Sequence, residues 1–246
     1  MRYKGDYMHS YFKEVQNHLD FVIKHEQQNI EKVAEVIAEK LHKGGILQLF
    51  GCGHSHLLAQ EAFYRAGGLV PVRPITIEPL MLHTGALTSS KNEKDATIIQ
   101  QHEKDFDFQP NDVLIVISTS GRNNAPIDAA ILAKRAGITV ISLQSLMYRE
   151  QKTMHSSGNR LEDVVDFVLD THIPVGDGLL NYQGMQYGPA STVIGSTMLN
   201  ALLCQIIEKT TNYTSELPVF KSANVASNPA HNELMIEKYK SRIDFK

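Results

Sequence analysis

The sequence predicts a doubly wound α/β fold in which five parallel strands form one open sheet. Five short apolar runs have the length of buried strands, and helical patterns alternate with them. The length of 246 residues suits one large α/β domain or two small ones. Pro71 and Pro74 make the end of the second strand irregular. The predicted strands lie at 46–50, 69–72, 113–118, 139–143 and 164–170.

The segment before the first strand is predicted to be helical from about Tyr11 to Leu41. Its apolar residues recur at helical spacing in two stripes, which we assign to helices that stop at Gly44 and Gly45. The stripes consist of Tyr11, Phe12, Val15, Leu19, Val22 and Ile23, and of Ile30, Val33, Ile37 and Leu41. We expect both stripes to pack against the rest of the domain or against a second subunit.

The other predicted helices follow the strands, and glycines mark where two of them end. Gly67 and Gly68 end the helix after the first strand, and Gly137 ends the helix after the third. The stretch 73–107 resists assignment and is expected to hold one or two short helices. The predicted helices lie at about 54–66, 80–87, 94–103, 124–136, 191–210 and 233–240.

Composition restricts the possible partners. A formal net charge of -3 gives no electrostatic reason to expect nucleic acid or an anionic membrane as a partner. Cys52 and Cys204 match no metal or redox spacing. The first six residues lack the apolar segment of a signal peptide, and no apolar run is long enough to cross a bilayer. We therefore expect a cytoplasmic protein without a cofactor.

Two strand-to-helix turns contain the residues that indicate a ligand site. Gly51-Cys52-Gly53-His54-Ser55 follows the first strand, and Ser118-Thr119-Ser120-Gly121 follows the third. Hydroxyls and free N–H groups at a helix N-terminus, together with the helix dipole, favour an anion such as phosphate. Either turn alone is commonly no more than a tight turn capped by a hydroxyl. Both turns in one sheet indicate a phosphate or sugar site.

Other known ligand-binding and catalytic motifs match the first turn less well. His56 stands where a dinucleotide fingerprint needs its third glycine, and Leu57 breaks the pattern of a nucleophile elbow. No P-loop motif occurs. Metal binding by His54 and His56 is disfavoured, because alternate residues on a helix point away from each other and no third ligand has suitable spacing.

The residues Gly51-x-Gly53-x-Ser55 and Ser118-Thr119-Ser120-Gly121-Arg122-Asn123 resemble the SIS (sugar isomerase) domain of phosphosugar isomerases and phosphosugar-binding regulators. The similarity extends from about Gly45 to Thr210. The segments 64–68 and 218–225 look like those of a subgroup of single-domain SIS proteins. The resemblance implies one SIS-type domain over 1–246, with N-terminal helices at 1–43, an α/β core at 44–210 and a C-terminal extension at 211–246.

This resemblance also implies a flavodoxin-like sheet, a homodimer or homotetramer, and a sugar phosphate held by the two turns. By position, the phosphate contacts would come from Gly53, Ser55, Ser118, Thr119, Ser120, Gly121 and Asn123. In phosphoheptose isomerases of this fold, a catalytic Glu lies ten residues past the turn serine. Arg65 occupies that position here, where it can help to neutralise a phosphate.

Moving a proton between C1 and C2 of a sugar requires a base, and a carboxylate is the usual choice. Glu78, which follows the second strand, is the first candidate, with His83 as the assisting acid and Glu61 as the next base. Glu78 can equally be a residue at a helix N-terminus that is stabilised by the helix dipole, and for His83 a solvated or packing histidine is favoured over a catalytic one. The expected activity is an isomerase or related lyase acting on a sugar phosphate or amino-sugar phosphate. A non-catalytic phosphosugar sensor is the alternative, and a structural oligomer with a vestigial site is a weaker one.

Overall fold

The computed structural model describes residues 7–225 and 230–246. Residues 1–6, which bear on the expected absence of a signal peptide, lie outside the described residues, as do residues 226–229. A five-stranded parallel sheet forms the centre, with the strand order β2-β1-β3-β4-β5. This confirms the predicted fold class. The strands are β1 Leu47–Gly51, β2 Val72–Ile75, β3 Val113–Ile117, β4 Thr139–Gln144 and β5 Phe167–Asp170.

Two strands begin three residues later than predicted, because the residues before them form other contacts. Leu69, expected in the second strand, forms an isolated antiparallel bridge with Val219 of the C-terminal extension. Residues 164–166 precede β5, and the carboxylate of Asp166 accepts a hydrogen bond from Val140 N–H at 2.9 Å. Asp166 N–H also donates to the Val140 carbonyl at 2.8 Å, so Asp166 bonds β4 through one backbone group and one side-chain group, and the regular ladder begins with Phe167.

Helices cover both faces of the sheet. In β3, Ile115 belongs to the apolar core on one face, while Leu114 and Val116 belong to the core on the other. Successive side chains of a strand point to opposite faces, so an apolar run such as Val113–Ile117 supplies both cores at once. The helices are α1 Tyr7–His42, α2 His54–Ala62, α3 Ala86–Asn92, α4 Ile98–Gln101, α5 Asn124–Arg135, α6 Ser191–Thr210 and α7 Ala230–Tyr239.

The N-terminal region is one helix of 36 residues, α1, and not several helices as predicted. The sequence from Tyr7 to His42 contains neither Gly nor Pro, so nothing interrupts the helix between the two apolar stripes. Val33 and Ile37 are fully buried, and Val15 and Leu19 pack against the same core. This confirms that the stripes pack against the domain. However, Phe12 and Ile23 of the first stripe are exposed.

The segments between the strands differ most from the prediction. Helix α2 ends at Ala62, four residues early, and a turn follows in which Tyr64 has a φ of 45°. An antiparallel hairpin that the sequence did not predict lies between β5 and α6. Three-residue 3-10 turns occupy part of the stretch that resisted assignment. These additional elements are β6 Gly178–Tyr182, β7 Met185–Pro189, and the 3-10 turns Glu78–Leu80, Leu82–Thr84 and Glu103–Asp105.

The C-terminal extension packs against the segment that follows α2. Gly67 N–H donates to the Phe220 carbonyl at 2.8 Å, and Phe220 N–H donates to the Gly68 carbonyl at 3.0 Å. The two segments that resemble the single-domain subgroup, 64–68 and 218–225, are therefore in contact. No helix in the described part of the chain is long and apolar enough to span a membrane.

Candidate functional site

The two turns predicted to bind phosphate lie side by side. Strands β1 and β3 are neighbours, with Gly51 paired to Ile117 at their carboxyl ends. Helix α2 leaves β1 for one face of the sheet, and α5 leaves β3 for the other. The turns therefore flank the switch point of strand order, which is where ligands bind in open α/β sheets.

The first turn depends on its glycines. Gly53 has a φ of 55°, a conformation that favours glycine. A Cβ on Gly51 would lie 2.7 Å from the carbonyl carbon of Ser55, so the chain folds back closely here. Gly53 N–H donates to the Leu80 carbonyl at 2.9 Å, which ties the turn to the segment after β2. Ser55 thereby lies at the start of α2, within its first turn.

The second turn also needs a glycine, and its amides are available. Gly121 has a φ of 58°, and its N–H donates to Ser118 Oγ at 3.3 Å. Within the described chain, the N–H groups of Ser120, Arg122 and Asn123 form no backbone hydrogen bond. Free amides before a helix of twelve residues are suited to an anion.

Two hydrogen bonds to backbone carbonyls hold the second turn in place. Arg160 Nη2 donates to the Ser120 carbonyl at 2.5 Å. Leu161 N–H donates to the Gly121 carbonyl at 2.9 Å. A Cβ on Gly121 would lie 2.9 Å from Gln144 Oε1, so the turn is closely packed on this side. The turn carbonyls are thus used inside the protein, while the free amides remain for a ligand.

A cleft of about 380 Å³ opens between the two turns. Most of the predicted phosphate-binding residues line it, but Gly121 and Arg65 do not. Gly121 shapes the turn, whereas Arg65 forms an exposed ion pair with Glu61. The cleft is lined by Cys52, Gly53, His54, Ser55, Leu82, Ala86, Ser89, Ser90, Glu93, Ser118, Thr119, Ser120, Asn123 and Ser191.

The predicted catalytic residues lie elsewhere. Glu78 Oε2 and His83 Nε2 are 3.0 Å apart, and both side chains are 65% exposed. Neither residue lines the cleft between the turns. Glu61 is likewise outside it and is paired with Arg65 on α2 and the turn that follows. Their catalytic roles stay predictions.

A carboxyl group that the sequence analysis did not select lies in the cleft. Glu93 follows α3, and its backbone carbonyl accepts a hydrogen bond from Ala125 N–H at 3.0 Å at the start of α5. Burial raises the pKa of Glu93, while a hydrogen bond from the Asn123 side chain and the charge of Lys94 lower it. The sequence signal was weak, since Glu93 falls in the stretch that resisted assignment.

The neighbouring histidines differ from each other. His54 lines the cleft, whereas His56 is buried, with Nε2 3.4 Å from Thr76 Oγ1 and Nδ1 without a partner. Burial lowers the pKa of His56 to about 4, so the imidazole is neutral at physiological pH. Among the described residues, no group of three or more His, Cys, Asp or Glu side chains can hold a metal ion.

The sequence profile of the SIS domain matches residues 10–145. The chain belongs to the SIS domain family. It is 50% identical over 238 residues to a UPF0309 protein in the nagA 3' region of Lysinibacillus sphaericus, covering 97% of this chain and 98% of the relative. A UPF0309 protein of Halalkalibacterium halodurans is 46% identical over 237 residues, with 95% of both chains covered.

Solved structures share the fold of this family member at low identity. A phosphoheptose isomerase from Francisella tularensis has a TM-score of 0.55 at 18% identity, covering 84% of this chain and all of the other. The Vibrio vulnificus NanR protein complexed with ManNAc-6P has a TM-score of 0.53 at 14% identity, covering 98% and 71% of the two chains. At this level of identity the likeness shows the fold alone.

Proposed function

We propose that this SIS-domain protein binds a sugar phosphate in the cleft between its two turns and isomerises it or carries out a related lyase reaction. One observation carries the proposal: two hydroxyl-bearing turns from adjacent strands line one cleft that also contains a carboxyl group. The volume of about 380 Å³ is within the range typical of small-molecule sites.

The phosphate is expected at the helix starts. The hydroxyls of Ser55, Thr119 and Ser120 line the cleft, and free N–H groups of the second turn lie beside them. The N-termini of α2 and α5 add positive potential, which favours the phosphate dianion. Among the described residues no lysine or arginine lines the cleft, so we assign the recognition to hydrogen bonds and helix dipoles.

An amino-sugar phosphate is the substrate class that we favour. A structural neighbour, the NanR protein, was solved with ManNAc-6P, and its fold covers nearly all of this chain. The cleft combines serine hydroxyls with the apolar side chains of Leu82 and Ala86. Such a lining suits a ligand that has hydroxyl groups and an acetyl methyl group.

The alternative function is a non-catalytic phosphosugar sensor that acts through partner proteins. Arg65 supports it, because it occupies the position of the catalytic Glu in similar phosphoheptose isomerases and lies outside the cleft. A homodimer or homotetramer remains part of the proposal. Its support is the exposed apolar side chains on α1, such as Met8, Phe12 and Ile23. Cytoplasmic location also stays a prediction.

A ligand screen tests the proposed function. The melting temperature of the full chain is measured with the 6-phosphates of glucose, fructose, glucosamine and N-acetylmannosamine, and with the same sugars without phosphate. A ligand that binds the native state raises the melting temperature by mass action. We expect a rise with at least one sugar phosphate and none with its dephosphorylated form. No rise with any sugar phosphate would contradict the proposal.

Each binding sugar phosphate is then incubated with the protein and followed by NMR over hours. Consumption of the sugar phosphate supports the enzyme. Binding without consumption supports the sensor.

A further inference from the structure

We propose that Glu93 is the acid–base residue of this cleft and moves a proton between adjacent carbons of the bound sugar phosphate. The inference rests on the proposed function, because it requires a sugar phosphate held by the two turns. It assigns the proton transfer to a residue outside the family motifs. It also separates the acid–base role from the exposed pair of Glu78 and His83.

The lining of the cleft leaves few groups that can carry a proton. In the part of the chain that the structure describes, the titratable lining residues are Cys52, His54 and Glu93. Cys52 is buried, and its pKa is raised by burial and by the negative charge of Glu93, so its sulfur stays protonated. Since a thiol of raised pKa is a poor proton acceptor near neutrality, the candidates in the cleft reduce to His54 and Glu93.

Of these two residues, Glu93 has the better environment for proton transfer. Its side chain is half-buried, whereas that of His54 is exposed at the start of α2. Burial disfavours the carboxylate and raises the pKa of Glu93 toward the working pH. A group whose pKa lies near the working pH is the more effective acid–base catalyst.

Neighbouring elements hold Glu93 in place beside the phosphate turn. Ala125 N–H donates to the Glu93 carbonyl at 3.0 Å, and Asn124 Nδ2 donates to the Lys94 carbonyl at 2.6 Å. Both donors lie in the first turn of α5, directly after the turn that would bind phosphate. The Asn123 side chain, which belongs to that turn, hydrogen-bonds the Glu93 carboxyl group. The acid–base group and the phosphate site are thus fixed relative to each other, as catalysis by positioning requires.

The proposed step balances with water as the only co-reactant. The Glu93 carboxylate takes the proton from C2 of the open-chain aldose phosphate, and the C–H electron pair forms the C1=C2 bond of an enediol. The C1 carbonyl oxygen takes a proton from water as its π bond breaks. Glu93 then returns its proton to C1, while the O2 hydroxyl gives its proton back to water and becomes the ketone oxygen. In an amino sugar, C2 carries nitrogen in place of the hydroxyl. The proton that exchanges is again the one at C2, because C2 is the carbon next to the C1 carbonyl.

The environment of Glu78 provides the contrast. Its carboxylate is 65% exposed and lies 3.0 Å from His83 on the protein surface. That carboxyl group lies at the surface and outside the cleft. Glu78→Gln therefore tests the competing assignment beside Glu93→Gln, because both replace one carboxyl group by an amide of the same shape.

The experiment measures deuterium incorporation at carbon by NMR, in D₂O, for wild type, E93Q, E93D, E78Q and E150Q. The probes are the four 6-phosphates of the ligand screen. Binding of each probe is measured in parallel from the change in melting temperature. We expect wild type and E150Q to exchange at similar rates, because Glu150 is exposed and lies outside the cleft, whereas E78Q tests the competing assignment. E93Q should lose about 10²–10⁴-fold of the exchange rate while it still binds the probe. E93D, which keeps the carboxyl group, should recover part of that rate.

The two arms distinguish the possible failures. If wild type binds none of the probes, the proposed function and this inference both fail. If wild type binds a probe but exchanges no deuterium, or if E93Q exchanges as fast as wild type, Glu93 is not the acid–base residue and phosphate binding stands. Loss of exchange in E78Q with retention in E93Q would move the role to Glu78. Retained probe binding by E93Q shows that the variant is folded.

The pH profile gives a readout that a structural role for Glu93 would not change. A base is active when deprotonated, so the exchange rate of wild type should rise with pH through the raised pKa of Glu93. The residual exchange of E93Q should lack that rise. An unchanged pH profile in E93Q would overturn the proposal.

Discussion

Polar groups at the two edges of the parallel sheet have opposite environments. At the amino edge, the carboxylate of Asp112 is fully buried and accepts hydrogen bonds from four donors within the protein. These donors are Ile46 N–H, Gln48 Nε2, Gln109 N–H and Arg242 Nη2, at 2.8–2.9 Å. At the carboxyl edge, Ser55, Thr119 and Ser120 instead line an open cleft.

The difference separates structural from functional polar groups. A buried carboxylate with a full set of donors costs little to keep and much to disrupt. Hydroxyls and amides that face a cleft contribute little to the fold, since water satisfies them when no ligand is bound. The carboxyl edge of this protein is therefore the edge where substitutions should change binding before they change stability.

The largest expected effect is at the amino edge. Asp112→Ala removes the acceptor from four donors, one of them the guanidinium of Arg242. We expect the free energy of unfolding to fall by about 3–5 kcal/mol, as in other buried charge pairs that lose one partner. Urea denaturation of wild type and D112A measures it. A loss below about 1 kcal/mol would mean that the polar groups of the amino edge contribute no more to stability than those that line the cleft.

At the carboxyl edge, we expect Ser120→Ala to weaken ligand binding and to leave stability nearly unchanged. The variant loses a hydroxyl that we propose to bind phosphate, which is worth roughly 1.5–3 kcal/mol when the acceptor is charged. We expect affinity for the sugar phosphate found in the screen to fall on the order of tenfold to a hundredfold. Isothermal titration calorimetry measures it.

The unfolding free energy of Ser120→Ala should stay within about 0.5 kcal/mol of wild type, as is usual for surface substitutions. Ser156→Ala is the control, because that exposed serine lies outside the cleft. Equal affinities for wild type, Ser120→Ala, Ser118→Ala and Ser55→Ala would place the phosphate elsewhere.

The smallest expected effect is a gain in stability for Glu93→Gln. Burial raises the pKa of Glu93 in the folded protein above 4.5, so the native state binds this proton more tightly than the unfolded chain. The free energy of unfolding then falls as pH rises from 4.5 through the raised pKa. Glutamine does not ionise, so E93Q should melt higher than wild type above that pKa.

Melting curves from pH 4 to pH 8 test this expectation. The difference between E93Q and wild type should shrink as pH falls to 4, below the ordinary pKa of 4.5, where Glu93 is mostly protonated in both states. S90A provides the control, because Ser90 lines the same cleft and its substitution removes no ionisable group. A difference between E93Q and wild type that is constant with pH would contradict the assigned cause.

Much of the fold could be predicted because its signals are local. The apolar run Val113–Ile117 and the glycines of the two turns mark strand ends and helix starts within a few residues. Parallel strands bring their carboxyl ends to one edge, so the adjacency of the two turns followed from the fold class. The hairpin β6–β7 was missed, because its partly exposed strands mix polar with apolar residues, whereas a central strand such as Val113–Ile117 is a continuous apolar run.

The sequence by itself determined the alternation of strands and helices, the family, and the two turns that we propose to bind phosphate, because each depends on residues close together in the chain. Only the tertiary structure decided which carboxyl group faces the cleft. Glu93 reaches it because the end of α3 is hydrogen-bonded to the start of α5, more than thirty residues away. Glu78 follows β2 directly, yet it lies at the surface beside His83. No local pattern encodes such packing, since it results from how separate segments fit over the sheet.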